Sequence, residues 1–455
     1  MNNGFLDTSV RKIIEGYRRK TISPLDVARA CIAQVEKWEP KFQALECFDA
    51  DKLLAQARAI ESRLAVGEEI RPLEGIPVGV KDIFNTQDFP TQMGSPLWQG
   101  FTPGNDARVV FQLKREGATI PGKTVTAEFA VHTLGKTINP HDATKTPGTS
   151  SSGSAVAVAT GMFPVALGTQ TAGSIVRPAS FCGVYGCKPS FGLIPRTGSL
   201  KTTDSLDTIG FFVTHFEDIA AMFQALRVHG PNYPISDAAL ADPLRQEKPA
   251  TRPWRVAMMK THVWEHAPLY AQEAFLQWAG KLAADQGVEL IEASLPQGLE
   301  EAHRVHSTIY DCTLAYYFQE EFKKKELVSP IMNEIIERGQ RVTPAQYQQA
   351  LLRQEELAGA MDAFLQGFDA MISLSTSGEA PPRDVVEKPD PALIWTLTHL
   401  PVISAPVFRS PSGLPFGAQL VARRYNDPLL FRFAEYLGRQ THIPAGPNPI
   451  FRHEQ

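Results

Sequence analysis

Residues 137–176 leave the backbone the fewest choices of structure. A polar, turn-rich segment ends in Gly148-Thr149-Ser150-Ser151-Ser152-Gly153-Ser154 and gives way at once to a run of small residues, SAVAVATGMFP. Side chains that small let a helix approach its neighbours closely, so the run predicts a helix pressed into a core. The apolar segment Val165–Gln170 then predicts a buried strand, and Thr171-Ala172-Gly173-Ser174 a turn after it.

The rest of the chain continues the alternation. Residues 6–67 read as helices, with a start signal at Ser23-Pro24-Leu25-Asp26: Ser23 as N-cap, Pro24 first in the helix, Asp26 three residues past the cap. Residues 72–84 predict a strand, 105–116 a helix and 118–120 a short strand. Further strands are predicted at 255–259, 288–293, 369–374, 402–407 and 416–421, with helices at 268–286, 298–326, 344–366 and 428–439. Residues 231–253, rich in Pro, Asp and Arg and without periodicity, predict a long surface loop or a boundary between lobes. No repeat or low-complexity tract interrupts the pattern. The alternation implies one large α/β unit: N-terminal helices (1–70), a central core (72–215) and a remainder of sheet and helices (254–455).

Composition narrows the function classes. With 43% hydrophobic and 21% charged residues, the 455-residue chain can build a sizeable core. A net charge of −4 offers no basic footprint for nucleic acid or an anionic membrane. Five cysteines, an odd number without metal-ligand spacing, argue against both a disulfide framework and a metal site. No signal-like apolar core opens the chain and no window reaches membrane-span length, so a cytoplasmic setting is expected.

Three segments could carry chemistry: Lys81 in the apolar run Gly75-Ile76-Pro77-Val78-Gly79-Val80-Lys81-Asp82, the serine-rich run around Ser150, and Gly168-Thr169-Gln170-Thr171-Ala172-Gly173-Ser174. Taken singly, each has a plain structural explanation: a solvated lysine, a linker, a turn. Together they suggest a serine nucleophile, which needs a base to take its proton. None of the three contains His, and the surroundings of Ser152 and Ser174 do not match G-x-S-x-G. A lysine embedded in an apolar strand loses solvation, stays neutral more readily and can serve as that base. Gly117–Thr124 matches G-x-x-x-x-G-K-T, but an amphipathic helix rather than a strand precedes it and Pro121 lies inside it, so a nucleotide-binding NTPase is the remote alternative.

These segments resemble the amidase signature family, whose members use a Ser–cis-Ser–Lys triad. The family pattern G-G-S-S-G-G-S, then G-T-D/Q-T-G-G-S-I, corresponds to Gly148–Ser154 and Gly168–Ile175, and nearly the whole chain fits. The resemblance implies an α/β/α sandwich around a large mixed β-sheet, with N-terminal helices as a candidate homodimer surface. It places the nucleophile on Ser174, the cis-serine on Ser150 and the base on Lys81. Backbone N–H groups of Thr171, Ala172, Gly173 and Ser174 would form the oxyanion hole. The expected activity is hydrolysis of a small-molecule carboxamide through an acyl-enzyme, with no metal or organic cofactor. Thr149, Gln170 and Arg177 would contact substrate; in a malonamidase-like branch, an arginine at the position of Arg177 binds a substrate carboxylate. The structural alternative for Arg177 is pairing with an internal acid such as Asp207. Thr149, Ser152 and Ala172 depart from family glycines, each adding a Cβ beside the site. The alternative activity is that of the A component of a tRNA-dependent amidotransferase, which releases ammonia from glutamine for a partner protein. A non-enzymatic scaffold would be expected to have lost part of the triad, and none is lost.

Overall fold

The computed structural model describes residues 4–229, 234–385, 387 and 390–447. Eleven strands among these residues form one sheet: β1 (Leu45–Phe48), β2 (Val78–Lys81), β3 (Gly122–Thr124), β4 (Val165–Gln170), β5 (Tyr185–Lys188), β6 (Thr208–Val213), β7 (Trp254–Met259), β8 (Val288–Ala293), β9 (Ala370–Leu374), β10 (Val402–Arg409) and β11 (Pro415–Val421). Their order is β1-β3-β2-β4-β6-β5-β10-β11-β9-β7-β8. Strands β3, β2 and β4 run parallel, as do β9, β7 and β8, and antiparallel pairings join the two groups. The sheet is therefore mixed.

Both faces are covered. Along a strand, successive side chains point to opposite faces. In β9, Ala370, Ile372 and Leu374 enter one apolar core while Met371 enters another. Strand β7 divides likewise, Val256 and Met258 from Ala257 and Met259. The first core is closed by the N-terminal helices Val10–Arg19 and Pro24–Phe42, by Ser152–Ala159 and by the C-terminal helix Asp427–Arg439. The second is closed by Ala302–Tyr317, Pro330–Gly339 and Pro344–Phe364. This is the α/β/α sandwich that the resemblance implies.

Local chemistry sets the element ends. Ser23 and Asp26 form a reciprocal capping box at the start of Pro24–Phe42. The long helix expected over 298–326 ends at Tyr317, and a short 3₁₀ segment, Glu321–Leu327, follows; Ser329, whose side chain accepts from the Met332 N–H, then starts a separate helix at Pro330. Of the loop expected over 231–253, residues 231–233 lie outside the described residues, and 234–253 are not a long loop: Pro234–Ala241 and Pro243–Gln246 are helical, the second capped by Asp242. The strand expected at 118–120 is reduced to a single bridge from Thr119 to Pro77, and the paired strand begins at Gly122.

That shift also disposes of the phosphate-loop motif. Lys123 lies inside β3, fully buried. Its Nζ pairs with Asp82 Oδ1 (3.0 Å) and donates to the Phe84 and Pro90 carbonyls (both 2.9 Å) and to Thr91 Oγ1 (3.0 Å). Every donor of the ammonium is spent internally, and the motif is a strand rather than a strand-to-helix loop.

Candidate active site

Strands β2 and β4 are parallel neighbours, with Val78 beside Val165 and Gly79 beside Ala166. Their C-terminal ends therefore emerge together, the edge at which open α/β sheets place their ligands. Lys81 is the last residue of β2, and Thr169 and Gln170 end β4. The serine-rich run reaches the same edge because the small-residue helix Ser152–Ala159 packs against β4.

Lys81 is fully buried. Its Nζ contacts three hydroxyls: Ser150 Oγ at 2.7 Å, Ser151 Oγ at 2.9 Å and Thr169 Oγ1 at 2.9 Å. No carboxylate pairs with it among the described residues. Burial holds its pKa well below the usual lysine value, with Asp207 pulling weakly the other way. A neutral amine has two N–H donors and one lone pair, which three hydroxyls can satisfy together. Ser151 Oγ donates on to the Thr169 carbonyl (3.2 Å), so it faces Lys81 as an acceptor.

The peptide bond between Thr149 and Ser150 is cis, as the resemblance implies. The loop bearing it is docked on the helix that follows Ser174. Gly148 takes φ +86° and lies against Pro178, where a Cβ would come within 2.8 Å of the Pro178 Cα, so only glycine fits. Thr149 Oγ1 accepts from Arg177 Nη1 at 3.2 Å.

Ser174 stands in the turn between β4 and the helix Val176–Cys182 and is 8% exposed, whereas Ser150 and Ser151 are closed off. The three peptide planes of this turn all have anchored carbonyls. Thr171 O faces His306 Nε2 (2.7 Å), Ala172 O accepts from Thr396 Oγ1 (2.6 Å), and Gly173 O accepts from the Arg177 N–H (2.8 Å). The N–H groups of Thr171, Ala172, Gly173 and Ser174 have no acceptor among the described residues. The next two, of Ile175 and Val176, are taken by Gln170 Oε1 at 2.8 and 3.0 Å.

Gln170 therefore differs from its expected place. It is fully buried, one end of its amide on the helix N–H groups and the other donating to Thr396 Oγ1 (3.0 Å), so it braces the turn instead of lining a substrate pocket. Thr149 likewise faces Arg177. Arg177 borders a cleft of about 150 Å³ together with Phe181, Tyr270, Glu379, Glu387 and Asp390. Its guanidinium is already paired, with Glu387 and with Asp390 Oδ2 at 3.0 Å. Asp207 is not its partner: that carboxylate accepts from Thr171, Thr202 and Thr203. Asp390 also reaches the turn itself, since a Cβ on Gly173 would collide with its carboxylate. His306, Thr396, Glu387 and Asp390 come from distant segments that carry no local motif, and sequence reasoning did not find them.

The arrangement can hold a nucleophilic serine beside a neutral lysine–serine pair and offer free N–H groups to a developing negative charge. No group of three His, Cys, Asp or Glu residues able to hold a metal ion occurs among the described residues, and all five cysteines are free. No helix among them is long and apolar enough to cross a membrane. The family model described as Amidase matches residues 26–431. The A component of glutamyl-tRNA(Gln) amidotransferase from Synechococcus elongatus is 31% identical, the match covering 91% of this chain and 94% of that protein. Among solved structures, a chain of an inhibitor-bound vestigial complex bearing on the origins of an s-triazine catabolic enzyme superposes with TM-score 0.86 at 26% identity, covering 97% of this chain and 100% of that one. The native peptide amidase of Stenotrophomonas maltophilia superposes with TM-score 0.82 at 25% identity over 98% and 99%.

Proposed function

Because the chain belongs to the amidase family, we propose that it breaks a carboxamide C–N bond through an acyl-enzyme on Ser174. The observation that carries this is Lys81: buried, paired with no carboxylate among the described residues, and 2.7 Å from Ser150. Neutral Lys81 takes the Ser150 proton while Ser150 takes that of Ser174. Ser174 Oγ attacks the amide carbon, and the N–H groups of Ala172, Gly173 and Ser174 receive the oxyanion, each donor worth a few kcal/mol in such holes. As the C–N bond breaks, Ser150 passes its proton to the leaving nitrogen and is reprotonated from Lys81. Water, activated by the same pair, then hydrolyses the ester to the carboxylate and frees Ser174.

Two finer readings differ in where the nitrogen goes. The full-length curated relatives support an amidotransferase component that releases ammonia from glutamine for a partner protein. The likeness to peptide amidase supports a free-standing hydrolase. The relatives align over nearly all of both chains at higher identity, and the weight lies with the first. For either, Arg177 is a poor receptor for a substrate carboxylate as it stands, because two acids already hold its guanidinium.

Ammonia release from glutamine, malonamate and peptide C-terminal amides, by wild type and Ser174→Ala, tests both levels. Release abolished by Ser174→Ala supports the mechanism, and equal release by the variant refutes it. Glutamine as the preferred amide supports the amidotransferase reading. Peptide amides turned over by the isolated chain, with glutamine untouched, support the hydrolase.

A further inference from the structure

We propose that His306 and Thr396 are positioning residues, which aim two of the oxyanion-hole N–H groups by holding the carbonyls on the far side of the same peptide planes. The inference rests on Ser174 being the nucleophile.

In a trans peptide the C=O of one residue and the N–H of the next lie in one plane and point in opposite directions. The carbonyl of Thr171 therefore sets the direction of the Ala172 N–H, and that of Ala172 sets the Gly173 N–H. His306 Nε2 meets the first at 2.7 Å and Thr396 Oγ1 the second at 2.6 Å. A carbonyl can only accept, so Nε2 carries its hydrogen. Burial pushes the His306 pKa down to about 4, which keeps this donor neutral near pH 7 and puts no charge beside the turn. The imidazole is itself held, stacked on Tyr310 with ring centroids 5.5 Å apart.

The second clamp is directional. Gln170 Oε1 is committed to the Ile175 and Val176 N–H groups, so its NH₂ end faces Thr396 and donates to the hydroxyl at 3.0 Å. Thr396 then has its own hydrogen left for Ala172 O. Its alternative acceptor, Ala392 O, is 3.5 Å away. Ala172 stands where the family pattern has glycine. Without these two donors, either peptide plane could rotate its N–H out of the site, leaving Ser174, Ser150 and Lys81 in place. Both donors arrive from outside the signature segments: His306 on the helix Ala302–Tyr317 and Thr396 on the short helix Leu393–Leu397.

The test uses a fluorophosphonate probe, in which a serine oxygen displaces fluoride from phosphorus and the P=O oxygen occupies the oxyanion hole, so no substrate need be known. Wild type is expected to be labelled at Ser174, located by peptide mass spectrometry. His306→Leu and Thr396→Val should be labelled ten- to a hundredfold more slowly, the scale of an ångström-sized misplacement. His306→Gln, which retains a donor near the Nε2 position, and Thr396→Ser should recover to within about threefold of wild type. That pattern, with melting temperatures that do not track the labelling rates, supports positioning. Wild-type labelling rates in folded Thr396→Val and His306→Leu would overturn it. So would equal slowing in the conservative pair, which would mark a structural role. Thr396→Val is nearly isosteric and carries the test should His306→Leu fail to fold. Absence of label from Ser174 in wild type would instead remove the nucleophile, and the proposal with it.

Discussion

Ser151→Ala is a sharp probe of the lysine. Ser151 is outside the proposed proton relay, yet its Oγ lies 2.9 Å from Lys81 Nζ and accepts from it. An acceptor stabilises the ammonium more than the amine. Hydrogen bonds to charged groups are worth about 1.5–3 kcal/mol against about 0.5–1.5 for neutral ones, a difference of about 1–1.5 kcal/mol. Removing the hydroxyl therefore favours the amine over the ammonium and moves the pKa of Lys81 further down. Lys81 acts as a base only when neutral, so the rate falls as pH drops through its pKa. Lowering that pKa moves the acid limb of the profile to lower pH. The plateau at higher pH should fall up to about tenfold, because one N–H of the neutral amine loses its acceptor and the lone pair is held less firmly toward Ser150. The assay is the rate of fluorophosphonate labelling at Ser174 from acid to alkaline pH, wild type beside Ser151→Ala. An acid limb that stays in place or moves to higher pH would refute the assignment of Lys81 as the titrating base.

Three further outcomes follow from the packing. In Gly153→Ala, the new Cβ would collide with the Ala44 carbonyl oxygen and the Val125 amide nitrogen, neither of which can swing aside; a loss of about 3 kcal/mol is expected, read as a lower urea midpoint at unchanged slope. Lys123→Met leaves the Asp82 carboxylate buried and unpaired and should cost about 3–5 kcal/mol, measured the same way; a neutral result would refute the structural role given to this lysine. Asp218, which accepts from the Val10 and Arg11 N–H groups, is pushed up to about 7 by burial. The folded state therefore holds a proton that the unfolded chain has released between about pH 4 and 7, and this contribution to stability declines as pH rises through that window. Asp218→Asn cannot titrate, so its melting temperature should fall less steeply over the same range, and an identical slope would refute the shift.

What the sequence determined by itself was local or periodic. The small-residue run SAVAVATGMFP and the apolar segment after it allow only a buried helix and a buried strand, and both appear at Ser152–Ala159 and Val165–Gln170. The Ser23 box starts its helix because cap and partner lie three residues apart. Lys81, Ser150 and Ser174 each have a plain structural explanation when taken singly; the three motifs together, through the family resemblance they carry, marked them as candidate site residues. Strands β1, β5 and β6 were missed, being short or marked by no clear alternation, and only their neighbours in the sheet make them strands. The fates of Gln170 and Arg177 were decided by tertiary structure alone. Nothing near either residue announces Thr396, Glu387 or Asp390, which lie more than 200 positions away in the chain. The same holds for His306, which reaches the turn before Ser174 from the helices over the other face of the sheet. A hydrogen bond or ion pair depends on distance and direction in space, and sequence spacing constrains these only within one turn of helix or one step of strand. Beyond that range, the order of strands in the sheet decides which side chains meet.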